Sequence, residues 1–326
     1  MNKLLIICGP TATGKTKLGI RLAKKLNGEI ISADSRQVYK GMDIGTGKDF
    51  KGAWLLDVVK PNQEFSVAQY VELAWKVISD IFKRKKLPIL VGGTGFYIKA
   101  IIDGIETLGV PPDWELREKL SHCSIAQLSD WLNKLDKQRW ERMNESDRNN
   151  PRRLIRAIEI ARYKSTSEVG GTPPAGMAGE GDTSEVKEGK TLFIGLTTSY
   201  PILYQRIDQR VEERVKQGVE KEIRQLLSKG YSWENSVLGT TIGYREWKQY
   251  FIDQNIYKRV RSREPISIYS SSVKDVIQQW KFAEHGYARR QLTWFKKDKR
   301  IQWFDITISG WQEKIEKLID KWYNEL

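Results

Sequence analysis

The first hundred residues alternate between short apolar runs and amphipathic stretches. Four apolar runs predict strands, at residues 3–8, 29–33, 54–59 and 88–91. The stretches at about 15–27 and 66–85 carry apolar residues at helical spacing and predict helices. Short apolar strands separated by amphipathic helices are typical of a parallel sheet covered on both faces. The pattern therefore predicts an α/β core at the start of the chain.

The pattern changes after Pro111. No strand-like run appears until 191–196, and the residues between, at 114–163, are rich in Arg, Lys, Trp and Leu at helical spacing. From Pro201 onward the chain is mostly helical, with a short strand-like run at 301–304 and a last helix. We therefore expect a discontinuous core over 1–111 and 186–326, interrupted by an all-helical insertion at 112–185. Within the insertion, 165–189 is rich in Gly, Ser, Thr, Glu and Pro, which predicts a mobile loop.

Composition narrows the class of protein. The 326 residues are 40% apolar and include only two cysteines and two histidines, which disfavours a disordered chain, a disulfide scaffold and a four-ligand zinc site. The apolar runs are too short for a membrane span, so we expect a cytoplasmic protein. The 55 Lys and Arg exceed the 41 Asp and Glu by 14. This excess predicts a polyanionic partner, nucleic acid before a membrane surface, although a basic solvated surface is the alternative.

A phosphate-binding loop follows the first predicted strand and precedes the first predicted helix. It matches G-x-x-x-x-G-K-[ST] with Gly9, Pro10, Thr11, Ala12, Thr13, Gly14, Lys15 and Thr16. In such a loop the glycines let backbone N–H groups surround phosphate oxygens, the lysine adds a positive charge and the hydroxyl can ligate Mg²⁺. The motif predicts a P-loop NTPase-like core that binds a diphosphate or a triphosphate.

Polar side chains stand at the ends of the next predicted strands. Asp34 follows 29–33, on a strand that we expect to lie next to the phosphate loop, and such a carboxylate could bind metal, act as a general base or cap the next segment. Asp57 closes the run at 54–57 and could hold a metal, or end a buried strand for reasons of turn geometry. Thr94 lies in Gly92-Gly93-Thr94-Gly95, where small residues would let the backbone approach a ligand.

Several longer motifs resemble those of the tRNA dimethylallyltransferase family, in its bacterial type without a zinc finger. In chain order they are GPTATGKT (9–16), DSRQVYKGMDIGTGK (34–48), FSVAQY (65–70), VGGTGFY (91–97), NNPRRLIRAIEI (149–160), IGYRE (242–246) and YARRQLTWF (287–295). The resemblance implies transfer of a dimethylallyl group from its diphosphate to N6 of the adenosine immediately 3′ of the anticodon, in tRNAs reading codons that begin with U.

The resemblance also implies roles for individual residues. Asp34 corresponds to the general base, and Thr94 to a residue that contacts the substrate near the reacting centre. Lys15, Thr16 with Mg²⁺, the loop amides and Arg210 are implied to hold the diphosphate. Asp57 corresponds to no family role and keeps its interpretation as a cap or core residue. We expect a monomer.

Apart from Thr94, the implied tRNA contacts fall on five stretches, at 34–37, 117, 152–156, 240–245 and 285–292, and each of them carries arginine. The implied contact residues are Asp34, Ser35, Arg36, Gln37, Thr94, Arg117, Arg152, Arg153, Arg156, Gly243, Arg245, His285, Arg289, Arg290 and Gln291. A lone arginine such as Arg117 could equally lie on a solvated helix face. Arg206, Arg210 and Arg214 recur every four residues, so we expect them to share one helix face, where Glu212 and Glu213 could neutralise them.

The sequence departs from the family pattern at several positions. Glu284-His285-Gly286 stands where Thr-Arg-Gln is usual, so one implied tRNA arginine is a histidine. Arg214 stands where methionine is common, and Ala53-Trp54 replaces a histidine pair. The stretch 250–275 is longer than usual and basic, which suits either RNA contact or a solvated loop.

Three other functions share parts of these motifs. They are prenylation of free adenine nucleotides, phosphorylation of a small metabolite, and RNA binding without catalysis. The predicted insertion, the arginine clusters and the net charge disfavour a small-nucleotide substrate. A kinase would need a clear magnesium-holding Asp, and a pure binder would not need Lys15, Thr16 and Asp34 together.

Overall fold

A computed structural model describes residues 2–105, 109–167, 191–254 and 272–324. Most of the loop predicted at 165–189 and of the basic stretch at 250–275 lies outside the described residues. The chain divides into two compact units, Met1–Asp103 with Thr183–Leu326, and Gly104–Asp182. Among the residues that the structure describes, none of the helices combines the length and apolar character needed to cross a bilayer.

The larger unit is built on a five-stranded sheet. Its strands are β1 (Leu4–Cys8), β2 (Gly28–Ser32), β3 (Leu87–Val91), β4 (Thr191–Thr197) and β5 (Gln302–Asp305). They are ordered β2-β3-β1-β4-β5, and every neighbouring pair is parallel. The predicted α/β class is therefore confirmed. The register pairs Ile6 of β1 with Leu90 of β3 and Phe193 of β4, so the phosphate-loop strand lies at the centre of the sheet.

Two expectations about the strands are wrong. β2 is not adjacent to β1, because β3 pairs with both and lies between them, so the carboxyl end of β3 is the nearer neighbour of the phosphate loop. The run at 54–59 is not a strand and makes only isolated bridges, Ile31 with Trp54 and Tyr39 with Val59. Leu55 and Asp57 have φ of 64° and 55°, and two left-handed residues so close together prevent continuous extended pairing.

Three helices connect these strands. Helix α1 (Lys15–Lys25) follows β1, α2 (Val67–Lys83) precedes β3, and α3 (Gly95–Ile102) follows β3. α1 begins at the last residues of the phosphate loop and buries Leu18 and Leu22. α2 begins at a capping box in which Ser66 and Gln69 satisfy each other's backbone N–H groups, which is why the amphipathic pattern starts there.

The described part of the smaller unit, residues 109–167, contains helices and turns only. The helices are α4 (Trp114–Ser121), α5 (Ile125–Leu135), α6 (Lys137–Arg142), α7 (Glu145–Arg148) and α8 (Pro151–Ser167). They enclose a small core in which leucines of α4 and α5, such as Leu120 and Leu128, pack with Leu154 and Ile158 of α8. The unit thus has an apolar core of its own.

The chain then returns to the larger unit with β4, and among the described residues four α-helices follow before β5. These are α9 (Tyr200–Lys216), α10 (Val219–Ser228), α11 (Lys248–Asp253) and α12 (Val273–Phe295), and α13 (Trp311–Asn324) follows β5. α13 packs Ile315, Ile319 and Trp322 against residues of the sheet and α1. α9, α10 and α12 form a second core around Trp247 and Trp280, which fixes their inner faces beside the phosphate loop.

Candidate functional site

The phosphate loop connects the carboxyl end of β1 to the first turn of α1. Gly9 and Gly14 have φ of 127° and 84°, and a Cβ on Gly9 would lie 2.3 Å from the carbonyl oxygen of Leu196. Glycine is therefore required at position 9 both by conformation and by space. The Thr13 hydroxyl donates to the Pro10 carbonyl oxygen at 2.9 Å and stabilises the turn. The resulting loop presents backbone N–H groups at a helix N-terminus, which favours an anion.

Lys15 folds back over this loop and donates from Nζ to the carbonyl oxygen of Pro10 at 2.5 Å. Burial, and after it the charge of Arg210, lower the pKa of Lys15 to about 8, although the charge of Asp34 opposes the shift. Desolvation and a neighbouring cation both disfavour the ammonium form. A bound anion would relieve that unfavourable environment, as expected for a phosphate-binding lysine.

Arg210 reaches the loop from α9. Its Nη1 donates to Oγ1 of Thr11 at 3.1 Å, and its Nη2 donates to Oδ2 of Asp49 at 3.1 Å. Arg214, one turn further along α9, also faces this region and lines the same cavity. Glu212, which was considered as a local counter-charge for these arginines, instead accepts a hydrogen bond from Lys281. Two arginines therefore share one helix face beside the phosphate loop.

Asp34 lies just beyond the end of β2, with its Oδ1 accepting a hydrogen bond from the backbone N–H of Arg36 at 2.8 Å. This contact orients the carboxylate and leaves its other oxygen available. The charge of Asp34 acts on two buried tyrosines, Tyr70 and Tyr97, and on the partly buried Tyr287. Burial raises the pKa of all three hydroxyls, and the negative charge of Asp34 adds to each shift. The raised pKa values keep these tyrosine hydroxyls protonated at neutral pH, so each can donate a hydrogen bond near the carboxylate.

Thr94 connects the ends of β2 and β3. Its backbone N–H donates to the carbonyl oxygen of Ala33 at 3.1 Å, and its Oγ1 accepts from the backbone N–H of Ser35 at 3.0 Å. Thr94 thus fixes the segment that carries Asp34, although it is not among the residues lining the cavity described next.

A cavity of about 300 Å³ brings the phosphate loop and the carboxylate together. The predicted site residues that line it are Thr11, Lys15, Thr16, Asp34, Ser35, Arg36, Gln37, Arg210, Arg245, Arg290 and Gln291. The cavity is also lined by Thr46, Arg214 and Glu284, to which the sequence assigned no role, and by Thr241 and Tyr287, which lie within predicted tRNA-contacting stretches. Three of the α12 residues, Glu284, Tyr287 and Gln291, recur at helical spacing, a signal that could have placed them on one face.

A second, wider cavity of about 1200 Å³ shares part of this lining. Lys15, Thr16, Arg210 and Arg214 line both cavities. The second cavity also carries several cations of its own, namely Lys17, Lys48, Lys51, Arg206, Lys221 and Lys229. With those shared with the first cavity, its nine Lys and Arg outnumber its four carboxylates, Asp43, Asp49, Glu213 and Glu222, so an anion at the phosphate loop would be approached through a positively charged region.

Asp57 lines neither cavity. It accepts from Nζ of the fully buried Lys48 at 2.5 Å, and Asp43 accepts from the same nitrogen at 2.9 Å. The interpretation of Asp57 as a strand cap or core residue is therefore wrong. Because Asp57 lies in a left-handed turn and not at the end of a strand, its carboxylate is free to neutralise Lys48.

Gln291 is buried, at 5% exposure, and connects two backbone segments of the site. Its Oε1 accepts from the backbone N–H of Thr11 at 2.8 Å, and its Nε2 donates to the carbonyl oxygen of Gly93 at 2.9 Å. Both ends of the amide are thus occupied within the site. This contact ties the phosphate loop to the end of β3, a role that sequence reasoning, which placed Gln291 at a tRNA surface, missed.

The other α12 residues predicted to contact tRNA lie nearer the surface. The ring of His285 stacks on Tyr204 with centroids 4.1 Å apart, and its Nε2 lies 2.8 Å from Oδ1 of Asp208. Arg289 donates to the hydroxyl of Tyr204 at 3.1 Å. On the preceding segment, Arg245 donates to Glu246 at 2.7 Å, and a Cβ on Gly243 would lie 2.7 Å from Trp280.

In the smaller unit, Arg117 and Arg156 converge on Glu159, which is only 2% exposed. Arg117 donates from Nε and Nη2 to the two Glu159 oxygens at 2.8 and 2.9 Å, and Arg156 donates to Glu159 and to the carbonyl oxygen of Val110. Burial opposes ionisation of Glu159, but these hydrogen bonds outweigh it and hold its pKa below the usual range. These two arginines therefore have a structural role within the unit.

Arg152 and Arg153 occupy the exposed first turn of α8. Arg153 pairs with Asp147, and within the described residues Arg152 makes no ion pair. Of the four arginines assigned to tRNA in this unit, these two present charge outward. Their role in tRNA binding stays a prediction.

Two family models match the sequence. "IPP transferase" matches residues 37–298, and "Isopentenyl transferase" matches residues 2–55. A tRNA dimethylallyltransferase of Anoxybacillus flavithermus is 39% identical over 318 residues, covering 94% of this chain and 91% of the relative. One from Acetivibrio thermocellus is 36% identical over 324 residues, covering 97% and 96%.

Solved structures give the same result. The tRNA isopentenylpyrophosphate transferase of Bacillus halodurans is 34% identical with a TM-score of 0.65, covering 99% of this chain and 97% of that one. A eukaryotic dimethylallyltransferase acting on tRNA is 25% identical with a TM-score of 0.75, covering 98% and 78%. With a family model matched over most of its length and relatives more than 30% identical along nearly all of it, the chain belongs to the IPP transferase family.

Proposed function

We propose that the protein transfers a dimethylallyl group from dimethylallyl diphosphate to N6 of the adenosine immediately 3′ of the anticodon, in tRNAs reading codons that begin with U. The observation that carries the proposal is that one cavity is lined both by Lys15 of the phosphate loop and by the carboxylate of Asp34. A prenyl transfer to an amine needs these two groups together, one for the leaving diphosphate and one for the proton of the nucleophile.

The phosphate loop would bind the diphosphate of the donor. Breaking the allylic C–O bond moves negative charge onto the leaving diphosphate, so cations held at that position stabilise the transition state more than the ground state. Lys15 and Arg210 are already in place around the loop, and the hydrogen bond from Arg210 to Thr11 aims that guanidinium at it. Because the loop carries an allylic diphosphate, no nucleoside triphosphate is consumed.

Asp34 would act on the acceptor. The exocyclic amine of adenine is a poor nucleophile, and a carboxylate within hydrogen-bond reach can orient it and take its proton as the new N–C bond forms. The hydrogen bond from the Arg36 N–H holds one oxygen of Asp34, leaving the other for the amine. Thr94 fixes the backbone segment that carries the carboxylate, and Tyr287 lines the cavity.

Magnesium is the cofactor that this donor set fits. Within the described residues no group of three His, Cys, Asp or Glu side chains could hold a metal. Thr16 lines both cavities and offers one hydroxyl, which suits Mg²⁺ because that ion takes most of its ligands from phosphate oxygens and water. When bound, the ion would neutralise charge on the leaving diphosphate.

The acceptor adenosine would enter from the side of Asp34 and Arg245. An anticodon-loop base must leave its stack to reach a cavity, and its place is usually taken by protein side chains. Arg36, Arg245 and Arg290 line the Asp34 side, where they can contact phosphates of the flanking nucleotides. We expect the reaction to take place in the cytoplasm, where tRNA is available, with the enzyme acting as a monomer.

The test is a prenylation assay. Purified protein, Mg²⁺ and dimethylallyl diphosphate are incubated with unmodified tRNA that reads a codon beginning with U, and the product is analysed by mass spectrometry. A gain of one dimethylallyl group on the adenosine 3′ of the anticodon is expected. No gain on tRNA, together with prenylation of free AMP in a parallel reaction, would refute the proposed acceptor and support the free-nucleotide alternative.

A further inference from the structure

Arg214 and Glu284 are two positions at which the sequence departs from the family pattern, and the structure places them in contact. Nη1 of Arg214 lies 3.4 Å from Oε1 of Glu284 and donates to the carbonyl oxygen of Gly45 at 3.1 Å. Both side chains are nearly fully buried, Arg214 at 5% exposure and Glu284 at 8%. The pair joins α9 to α12 at the wall of the cavity that holds Lys15 and Asp34.

The hydrogen bonding of Arg214 is incomplete. All its hydrogen bonds to described residues come from Nη1, and its Nε is buried without a partner. A buried guanidinium normally has most of its five donors satisfied, because each unpaired donor costs free energy. The one carboxylate in contact is at 3.4 Å, long for a charge-assisted hydrogen bond. Arg214 therefore has donors to spare in a cavity that it helps to line.

Arg214 also stands next to another cation. A Cβ at position 47 would lie 2.1 Å from Nη2 of Arg214 and 2.4 Å from Nη2 of Arg210, so glycine at 47 is what lets the two guanidinium groups approach this loop. Burial, and after it the charge of Arg210, lower the pKa of Arg214 to about 10, although the charges of Glu284 and Asp49 oppose the shift. Two neighbouring guanidinium groups repel each other unless an anion lies between or beside them. Arg210 and Arg214 each line the two cavities beside the phosphate loop.

We propose that Arg214 is a second diphosphate-binding arginine, and that Glu284 is the counter-ion that it uses when the diphosphate is absent. This inference rests on the proposed function, since it assigns a further contact to the same diphosphate. Arg210 and Lys15 would bind the anion from the loop side, and Arg214 would add charge-assisted hydrogen bonds from its free donors. Glu284 then competes with the diphosphate for Arg214, which favours release of the product.

Binding of inorganic diphosphate tests the proposal without prenyl transfer or tRNA. Calorimetric titration in the presence of Mg²⁺ would compare the wild type with R214M, E284T, R214M/E284T and R224M. Arg224 is the matched control, because it lies on α10, pairs with Glu220 and lines neither cavity. R214M is expected to raise the Kd of diphosphate about 10- to 100-fold, the range for one or two hydrogen bonds to a charged group. R224M is expected to leave it unchanged.

The Glu284 variants separate binding from folding. E284T retains Arg214 and removes its competitor, so diphosphate is expected to bind more tightly than to the wild type. The double variant removes both buried charges together, which avoids an unpaired carboxylate, and is expected to bind as weakly as R214M. Wild-type affinity in a folded R214M/E284T variant would overturn the proposal, as would weaker binding by E284T. If tRNA is not prenylated but R214M weakens diphosphate binding, only the proposed acceptor fails.

Discussion

The carboxylate of Asp34 is the residue on which the proposed chemistry depends, and Asp34→Asn tests it with little change in structure. The side chain accepts one hydrogen bond, from the Arg36 N–H at 2.8 Å, and the amide oxygen of asparagine can accept the same bond. We therefore expect the free energy of unfolding to fall by less than about 1 kcal/mol. Asp34→Ala would lose this contact and cost roughly 1–2 kcal/mol.

The effect on rate is expected to be much larger. A positioned general base contributes about 10²- to 10⁴-fold, which corresponds to roughly 3–5 kcal/mol of activation free energy. Asp34→Asn is therefore expected to slow single-turnover prenylation by that factor at saturating donor and tRNA. The substitution also removes a charge that raises the pKa of Lys15, so binding is best compared near pH 7, below the wild-type Lys15 pKa of about 8.

The assay has a matched control and a clear contrary result. Asp80→Asn removes a carboxylate of α2 that pairs with Arg84 and lines neither cavity, so its single-turnover rate is expected to equal that of the wild type. Inorganic diphosphate binding, measured separately, is expected to change little in Asp34→Asn at pH 7. A single-turnover rate within tenfold of the wild type would show that Asp34 is not the base.

Three further predictions concern the phosphate loop and the tRNA surface. In the free enzyme the pKa of Lys15 is about 8, below its ordinary value, so affinity for inorganic diphosphate is expected to fall as pH rises through 8, with proton uptake on binding between pH 8 and 10. Calorimetry in buffers of different ionisation enthalpy measures this proton uptake. Binding that does not depend on pH over that range would contradict the prediction. Gln291→Leu leaves the Thr11 N–H and the Gly93 carbonyl without partners, so urea denaturation is expected to show that the free energy of unfolding falls by about 2–4 kcal/mol. An unchanged denaturation midpoint would mean that water replaces the amide. Arg153→Ala is expected to weaken tRNA binding and to reduce the slope of log K against log salt by about 1 while diphosphate affinity stays the same; an identical salt slope would remove Arg153 from the tRNA surface.

Much of the α/β core was predictable because local patterns report on it directly. β1, β3 and β4 are fully or almost fully buried, so each appears in the sequence as a short continuous apolar run. The run at 54–59 has the same composition but is no strand, since its outcome depends on left-handed backbone at Leu55 and Asp57. Local patterns also do not determine the order of the strands. More than fifty residues separate Asp34 from β3, which nevertheless lies between β1 and β2 in the sheet.

The candidate site divides in the same way between local and distant contacts. The phosphate loop is a contiguous motif whose conformation follows from its own glycines, so its residues could be named from sequence. Gln291 belongs to the same site but acts across 280 positions of sequence, and its neighbours in a basic, aromatic helix favoured a surface role. Its burial follows only from the packing of α12 beside the phosphate loop.

The contact between Arg214 and Glu284 is also one that the sequence could not predict, because each residue is unfavourable in a buried position when considered alone. A buried arginine in a cluster of cations and a buried glutamate would both be expected to destabilise the fold. Together they neutralise each other across two helices, yet at 3.4 Å and with Nε unpaired the neutralisation is incomplete. A pair built only for stability would be expected to close that distance and satisfy those donors. The unsatisfied hydrogen-bonding capacity belongs to a residue that lines the cavity where the diphosphate is proposed to bind, so we attribute it to a ligand and not to the fold.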